Sequence, residues 1–515
     1  MASCELCCAH CGAADAKFLC SRCHNARYCN AACQRAGWRI HRQSCTEHSA
    51  EAVGATSALT GALGQPGTRA APTDVPSAAE MRQLSLRELI ALMESAAVIE
   101  SEAHAVPACA ALYRLIDRAV GNRDAICSIV KAGGVRAVLR LAQHVRSPRF
   151  AGQAIQCLHG MAPFADRLHS SPGLAELPEG VATLLRLHAA NEHAAAHGFG
   201  TFGSLAELSP AAADAVVRAG AISLAVPALQ RHASSPFVSA AVCKCLAGVV
   251  HKRSSHGGAV ETAGLTPLVV DALQRHAAEA VVVEEAARLL WYLCKPSKVR
   301  DVSAAVGHGV VRAALAALDA LTARGSLDEK AAATWAAMLL STLLDFPVAV
   351  SDACSHGAWG TLRRSLSSTL GRTDGDFAWH LVSSLFRLQP EGYWMDRDEP
   401  ALGDEEAVDT GFLDAGCIPA VLCSLRALGA DHPPLMDSCI VLLMAALGTF
   451  DGHPALRVLA EPATTAMLRG LSRSYRQKRD RDMVHKINLL VSEITDACQE
   501  EEGDGIGEGS LRAQA

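Results

Sequence analysis

Aromatic residues are scarce in this 515-residue chain, at 4% of positions, while 50% are hydrophobic. Alanine and leucine carry that hydrophobicity, and a chain poor in rings but rich in these two favours helix over sheet. A strong net charge is also missing. The formal charge of −6 and a sequence pI near 6.4 argue against a general nucleic-acid binder. No apolar stretch approaches the eighteen or so residues that a membrane helix requires. The opening MASCELCC lacks a basic segment ahead of an apolar run, so it does not read as a signal peptide. Catalytic signatures are missing as well: there is no Gly-x4-Gly-Lys-Ser/Thr loop, no Gly-x-Ser-x-Gly elbow and no His-Glu-x2-His. The His-x-Glu and Pro-Cys-x2-Cys pair of zinc deaminases is also absent. The chain is therefore expected to be no enzyme, to cross no membrane and to sit in the cytoplasm or nucleus.

What the chain does have is cysteine, 20 in all. Their distribution refuses a disulfide framework. Nine cluster at the N-terminus with metal-ligand spacing, and the other eleven are scattered, several on apolar helical stripes such as Cys157, Cys243, Cys294 and Cys439. Free cysteine is a good small core residue in a reducing compartment. Within the cluster, Cys8 and Cys11 are separated by two residues, as are Cys20 and Cys23; Cys29 and Cys33 are separated by three, as are His41 and Cys45. Such pairs reach a tetrahedral Zn²⁺ at about 2.3 Å from sulfur, and eight ligands make two closed sites. Closed sites leave no open position for a reacting water, so these zincs are structural. Cys4 and Cys7 repeat the two-residue spacing and compete for the first position.

The residues between the pairs sharpen the reading. Ala26-Arg27-Tyr28-Cys29, then Cys33-Gln34, then Trp38, then His41-x3-Cys45 resembles the MYND zinc finger family over the whole of 8–45. Cys11-Gly12 resembles that family's Cys-Gly knuckle, which favours Cys8 and Cys11 over Cys4 and Cys7. The resemblance implies a cross-brace, with Cys8, Cys11, Cys29 and Cys33 on one zinc and Cys20, Cys23, His41 and Cys45 on the other. It further implies binding of short proline-rich peptides, in a shallow groove whose matching residues here are Ser21, Gln34 and Trp38. Trp38 fits a place in the finger's own core as well. So small a unit cannot bury enough apolar area to fold alone, so zinc supplies its folding free energy.

Residues 46–78 carry Gly54, Gly61, Gly64, Pro66, Gly67, Pro72 and Pro76 among Ala, Ser and Thr, and are expected to form a flexible linker. Helical periodicity starts near 79. Leu84, Leu86, Leu89, Ile90 and Met93 share one face, and Leu112, Leu115, Ile116 and Val120 another. An internal repeat then runs to about 497. Ala132-Gly133-Gly134-Val135, Ala219-Gly220-Ala221-Ile222, Ala263-Gly264-Leu265-Thr266 and Ala415-Gly416-Cys417-Ile418 align. His308-Gly309 and His356-Gly357 fit the same frame, and Pro178-Glu179-Gly180-Val181 reads as a degenerate copy. Marked positions 133, 179, 220, 264, 309, 357 and 416 are 46, 41, 44, 45, 48 and 59 residues apart. The longest step contains Glu391–Gly411, read as an inserted acidic loop. From 498 the tail is acidic and glycine-rich, and disorder is expected there.

Each glycine permits a sharp turn between a short helix and a longer one. Ile222, Val226 and Leu229 share a face of the second helix; Ser235-Pro236 opens the third, along which Val238, Val242, Leu246 and Val249 align. A spacing of about 40–47 residues with this make-up resembles armadillo repeats. The fold class expected is mostly α: an armadillo-like α-solenoid, with a superhelical groove, behind a small two-zinc finger. One departure matters. Where armadillo proteins that grip extended peptides carry an asparagine ladder, this chain has Gly160, Glu207, Gly248, Tyr292, Thr342, Arg387 and about Ala446. That puts nuclear-import-type cargo binding in doubt. His144, His188, His232 and His276 recur with the repeat and are expected at exposed helix ends, where a cation suits the dipole. Trp291, Tyr292, Trp335, Trp359 and Trp379 are expected in the core. Arg469, Arg473, Arg476, Lys478, Arg479, Arg481 and Lys486 read as a solvated capping face.

Function then reads as an adaptor, with a proline-rich motif on the finger and a second protein on the solenoid groove. The alternatives are a nuclear transcription or chromatin regulator, or an assembly factor for a large complex. Elemental analysis of the purified, fully reduced chain should return about two zinc ions per molecule. A protein with no bound metal would contradict the finger.

Overall fold

The computed structural model describes residues 18–19, 27–28, 75–145, 147–167, 174–295, 302–326, 329–388, 411–449 and 454–507. The chain divides into two compact units, Met1–Pro72 and Thr73–Ala515. In the first, β1 (Phe18–Leu19) and β2 (Arg27–Tyr28) form an antiparallel hairpin, pairing Phe18 with Tyr28 and Leu19 with Arg27.

The second unit is helical where it is described. It opens one residue earlier than the expected start at 79. Ser77 caps Ala78–Met81 in a reciprocal box with Glu80, and Ser85 does the same with Glu88 for Leu86–Met93. Each box satisfies amide groups that the first helical turn leaves without partners.

One repeat shows the local logic. Ser209 accepts a hydrogen bond from the Ala212 amide at 3.1 Å and starts the helix Pro210–Arg218. Gly220 then turns the chain at φ +97° into the helix Ala221–Arg231. Ser235 caps the third helix with Pro236 in its first turn, accepting from the Val238 amide at 3.3 Å. The same left-handed turn stands at Gly133, Gly264, Gly309, Gly357 and Gly416, with φ between +69° and +95°. These are the glycines the repeat marks. An L-residue enters this region at a cost of about 1–2 kcal/mol, which is why glycine recurs there.

The third helices form a ladder. They are labelled α1 (Glu102–Arg118), α2 (Pro148–Met161), α3 (Glu192–Ala206), α4 (Pro236–Lys252), α5 (Ala280–Cys294), α6 (Lys330–Leu343), α7 (Gly375–Arg387), α8 (Pro433–Thr449) and α9 (Arg481–Gly507). Each packs on the next, most extensively α3 on α4, α4 on α5 and α5 on α6. Val238, Val242, Leu246 and Val249 of α4 are fully buried, as are Cys157, Cys243 and Cys439 on their helices' apolar stripes. One connected apolar core runs from Met81 to Ile494, so no repeat buries its stripes alone.

Several expectations need correction. Gly180 is not at a left-handed turn. It lies inside the helix Leu177–Leu187, where a Cβ would collide with Leu139, so this glycine serves close packing. Val120 is not on a buried face: its helix ends at Arg118 and the side chain is 73% exposed. Helix α9 runs to Gly507, past the helical limit of 497 expected from composition. Of the repeat histidines only His144 is exposed; His188, His232 and His276 are buried. The His232 Nε2–H donates to the Ala189 carbonyl at 2.9 Å, and that of His276 to Ala233 at 3.0 Å. His188, His232 and His276 do stand at helix ends, as expected, but buried, and His232 and His276 each tie one repeat to the one before. Trp359 is buried, as expected, with its ring 6.1 Å from that of Phe412. Trp291, Tyr292, Trp335 and Trp379 are only half-buried. Nearly all of the expected Glu391–Gly411 insertion lies outside the described residues.

Gly264 has φ +70°, and a Cβ added there would meet nothing within 4 Å, so substitution tests backbone strain alone. Gly264→Ala should lower stability by about 1–2 kcal/mol in urea denaturation. Gly470→Ala, inside the helix Pro462–Gln477 with equally open space, should raise it by about 0.5–1 kcal/mol. Equal effects of the two would contradict the turn's role.

Candidate partner-binding sites in the finger and on the helical stack

The hairpin is the described part of the finger. β1 ends at Leu19, one residue before Cys20, and β2 ends at Tyr28, one residue before Cys29. The eight expected zinc ligands, and Ser21, Gln34 and Trp38, lie outside the described residues. As a donor set, seven thiols and one imidazole suit structural Zn²⁺.

On the stack, the ladder of third helices presents a half-exposed strip of polar and aromatic side chains. Trp291 and Tyr292 of α5 meet Trp335 of α6 at ring distances of 5.6 and 6.3 Å. The Trp291 Nε1–H donates to Thr342 Oγ1 at 3.0 Å, and the Lys295 ammonium sits 3.7 Å from the Trp291 ring centre. One repeat on, Trp379 Nε1–H donates to Ser438 Oγ at 3.2 Å. Arg288 joins Glu285 on its own helix to Glu207 after α3, at 3.3 Å from the latter. Burial works against the Arg288 charge, but the two carboxylates outweigh it and raise its pKa.

The asparagine-ladder positions are put to other uses. Gly160 packs against Ile116, Gly248 against Ala206 and Glu207, and Ala446 is buried. Glu207, Thr342 and Arg387 are engaged by Arg288, Trp291 and Asp345 respectively. These side chains are committed within the stack.

A cleft on this face has a volume of about 860 Å³ and is walled by α2 to α5. It is organised by α3, whose sequence Gly198-Phe199-Gly200-Thr201-Phe202-Gly203 places three glycines within two turns. Each glycine costs a helix interior roughly 1 kcal/mol relative to alanine, so close packing must offset that. A Cβ at Gly200 would come within 2.8 Å of the His159 ring of α2, and one at Gly203 within 3.1 Å of the Lys244 stem of α4. The glycines let both neighbours lie against α3. His193 and His197, one turn apart, stand 4.4 Å from each other by ring centres, and His197 stands 5.3 Å from His159. Burial, then the neighbouring His193 and His159, push His197 down to about 4. Burial and Lys244 also lower His159. Among the described residues no group of three His, Cys, Asp or Glu side chains is placed to hold a metal ion. The cleft escapes sequence reading because it spans positions 159–285 of four repeats. The signals for it were present, in His193-x3-His197 and the glycines of one helix.

With this geometry in hand, comparison with known proteins is informative. Residues 8–45 match the family model of the MYND finger. The chain carries a MYND-type zinc finger. No curated protein sequence matches the chain. Among solved structures, an engineered protein of the Northeast Structural Genomics Consortium aligns with a TM-score of 0.50 and 20% identity, over 80% of this chain and 98% of that one. That likeness shows the fold alone. A designed armadillo repeat protein in complex with the peptide (KR)4 aligns at TM-score 0.40 and 16% identity, over 50% of this chain and 100% of that one. A similarity so distant carries nothing about ligands here. The fold is a mostly helical, armadillo-like solenoid with the MYND finger at its N-terminal side. MYND fingers bind zinc and serve as protein-interaction modules, which supports a protein-interaction protein in general terms. Among the described residues no single helix is long and apolar enough to cross a membrane.

Two half-buried histidines, His197 and His380, give the stack a pH dependence. Burial also pushes His380 of α7 down to about 4. A folded pKa below the ordinary 6.5 means that the unfolded chain binds protons first. The stabilisation is present above pH 6.5 and is lost as pH falls through 6.5 toward 4. The melting temperature should therefore drop across that window, and a His197→Gln, His380→Gln double variant should drop less. Parallel curves for the two proteins would contradict the assignment.

Proposed function

We propose that the chain is an adaptor that joins two protein partners, one on each module. The finger holds a short proline-rich motif through Ser21, Gln34 and Trp38, and the third-helix face of the solenoid holds a second protein. Two zinc ions maintain the finger, with Cys8, Cys11, Cys29 and Cys33 on one and Cys20, Cys23, His41 and Cys45 on the other. What carries the reading is the pairing of a matched MYND finger with a stack whose third helices leave aromatic and apolar side chains half-exposed. Tryptophan and tyrosine are enriched among the side chains that anchor protein interfaces. Tethering two modest modules raises apparent affinity when one assembly carries both targets, without any new contact. The expected setting is the cytoplasm or nucleus.

An array of proline-rich peptides probed with the full-length chain tests the finger. Trp38→Ala should weaken the bound peptides roughly tenfold or more, as truncating a central interface tryptophan does. Equal signals from the two proteins, with zinc content unchanged, would remove the groove assignment.

A further inference from the structure

The last helix pair of the stack reverses the charge balance of the chain. Residues 462–486 hold seven lysines and arginines against two aspartates, in a chain whose formal charge is −6. The helix Pro462–Gln477 contains three arginines and no acidic residue. Arg469, Arg473 and Arg476 lie four and three residues apart, so they share one helical face, and all three are exposed along about 10 Å of its axis. Arg479 and Arg481, also exposed, follow in the turn that leads into α9. Tyr475 of the same helix is buried, and its hydroxyl donates to the Gly429 carbonyl at 2.5 Å. The basic run is therefore fixed as a helix and a turn, and no partner reads it as an extended peptide.

The carboxylates nearby are committed to the lysines and the backbone. Asp431 pairs with Lys478 at 3.5 Å, and Lys486 takes Asp437 at 2.7 Å and Asp482 at 3.1 Å. Asp480 accepts from the Met483 amide at 3.0 Å. Glu461, the acid that precedes the helix, is eight residues before Arg469. Among the described residues no carboxylate stands within ion-pair distance of Arg469, Arg473, Arg476, Arg479 or Arg481. A terminal repeat needs a polar outer face, which a mixture of both signs supplies. Arginines alone go further than that need. Arg479 adds a second, independent mark, as the one non-glycine residue at positive φ, +61°, among the described residues. Glycine adopts that conformation at little cost, so a charged side chain is kept here against the preference of the backbone.

We propose that this arginine face docks a short carboxylate-rich segment of a partner protein. The guanidinium fork matches a carboxylate with two parallel hydrogen bonds and keeps its charge at every physiological pH. A nucleic-acid duplex is the poorer fit. It carries charge along its whole length, so beyond the arginines it meets Asp431, Asp437 and Asp482 on a chain of net negative charge. Tyr475 is buried, so the helix offers no aromatic ring for a base to stack on. A short acidic segment ends before it reaches those aspartates. Arg469, Arg473 and Arg476 stand on a second helix of the repeat, outside the ladder of third helices, so this surface is distinct from the one assigned above.

A fluorescein-labelled twelve-residue glutamate peptide, titrated by anisotropy with the full-length zinc-loaded chain, is the probe. It should bind at low salt and weaken as salt rises. An Arg473→Gln, Arg476→Gln double variant should weaken it about tenfold. Arg479→Gly should weaken it about threefold while holding or raising the melting temperature, because the strained turn relaxes. Arg149→Gln, at an exposed arginine in the first turn of α2, should change nothing. A short DNA duplex and phosphatidylserine vesicles, titrated in parallel, should bind less tightly than the peptide. Absence of peptide binding, or binding indifferent to the arginine variants, would overturn the proposal. A duplex or a vesicle that binds more tightly, with the same arginine dependence, would overturn it in favour of nucleic acid or membrane. Dimers seen by light scattering and lost in the double variant would overturn it in favour of a second copy of the chain.

Discussion

The structure of the helical unit depends on one backbone constraint. Between the first and second helix of a repeat the chain reverses in a single residue held at positive φ, and glycine is the residue that adopts this at little cost. Six glycines, at 133, 220, 264, 309, 357 and 416, hold the same turn, so the repeats that carry it enter the stack in the same way. The repeat that holds the helix Leu177–Leu187 enters the stack without this turn, with Gly180 inside the helix, so apolar packing between third helices carries the ladder across it.

Apolar packing holds the ladder. Each third helix is apolar on the sides that meet the helix before and the helix after, which leaves a narrow strip free. Helix α3 shows how composition tunes that arrangement. Its glycines weaken it as a helix and in exchange admit the His159 ring and the Lys244 stem. The result is a depression in the strip rather than a flat surface. Farther along, aromatic side chains from α5 and α6 fill the strip and bind one another, so the face differs from repeat to repeat although the backbone does not.

Much of this was legible in the sequence because backbone constraints leave residue-level marks. The Ala-Gly and His-Gly pairs at 132–133, 219–220, 263–264, 308–309, 356–357 and 415–416 located every left-handed turn that the repeat implies. The copy at Gly180 misled because glycine has two uses, and close approach to Leu139 leaves the same mark as a turn. The histidines misled for a different reason. Their polarity suggested solvent, whereas the partner that satisfies His232 and His276 is a backbone carbonyl 43 residues earlier, which no local pattern reports. The cleft was hidden for the same cause, being assembled from four repeats. The expected zinc ligands are a different case: spacing and residue type suggested them, resemblance to the MYND family favoured Cys8 and Cys11 over Cys4 and Cys7, and the matching family model covers the same span, residues 8–45.

Two modules with different sources of stability result. The finger depends on metal because it is too small for a sufficient core, and the stack depends on apolar burial that runs unbroken from Met81 to Ile494. Hydrogen-exchange mass spectrometry on the full-length chain, before and after chelation of zinc under reducing conditions, tests that division most directly. Protection should be lost within residues 8–45 and retained in α2 through α8. Protection that falls across the stack on chelation, or that stays unchanged in the finger, would contradict the account.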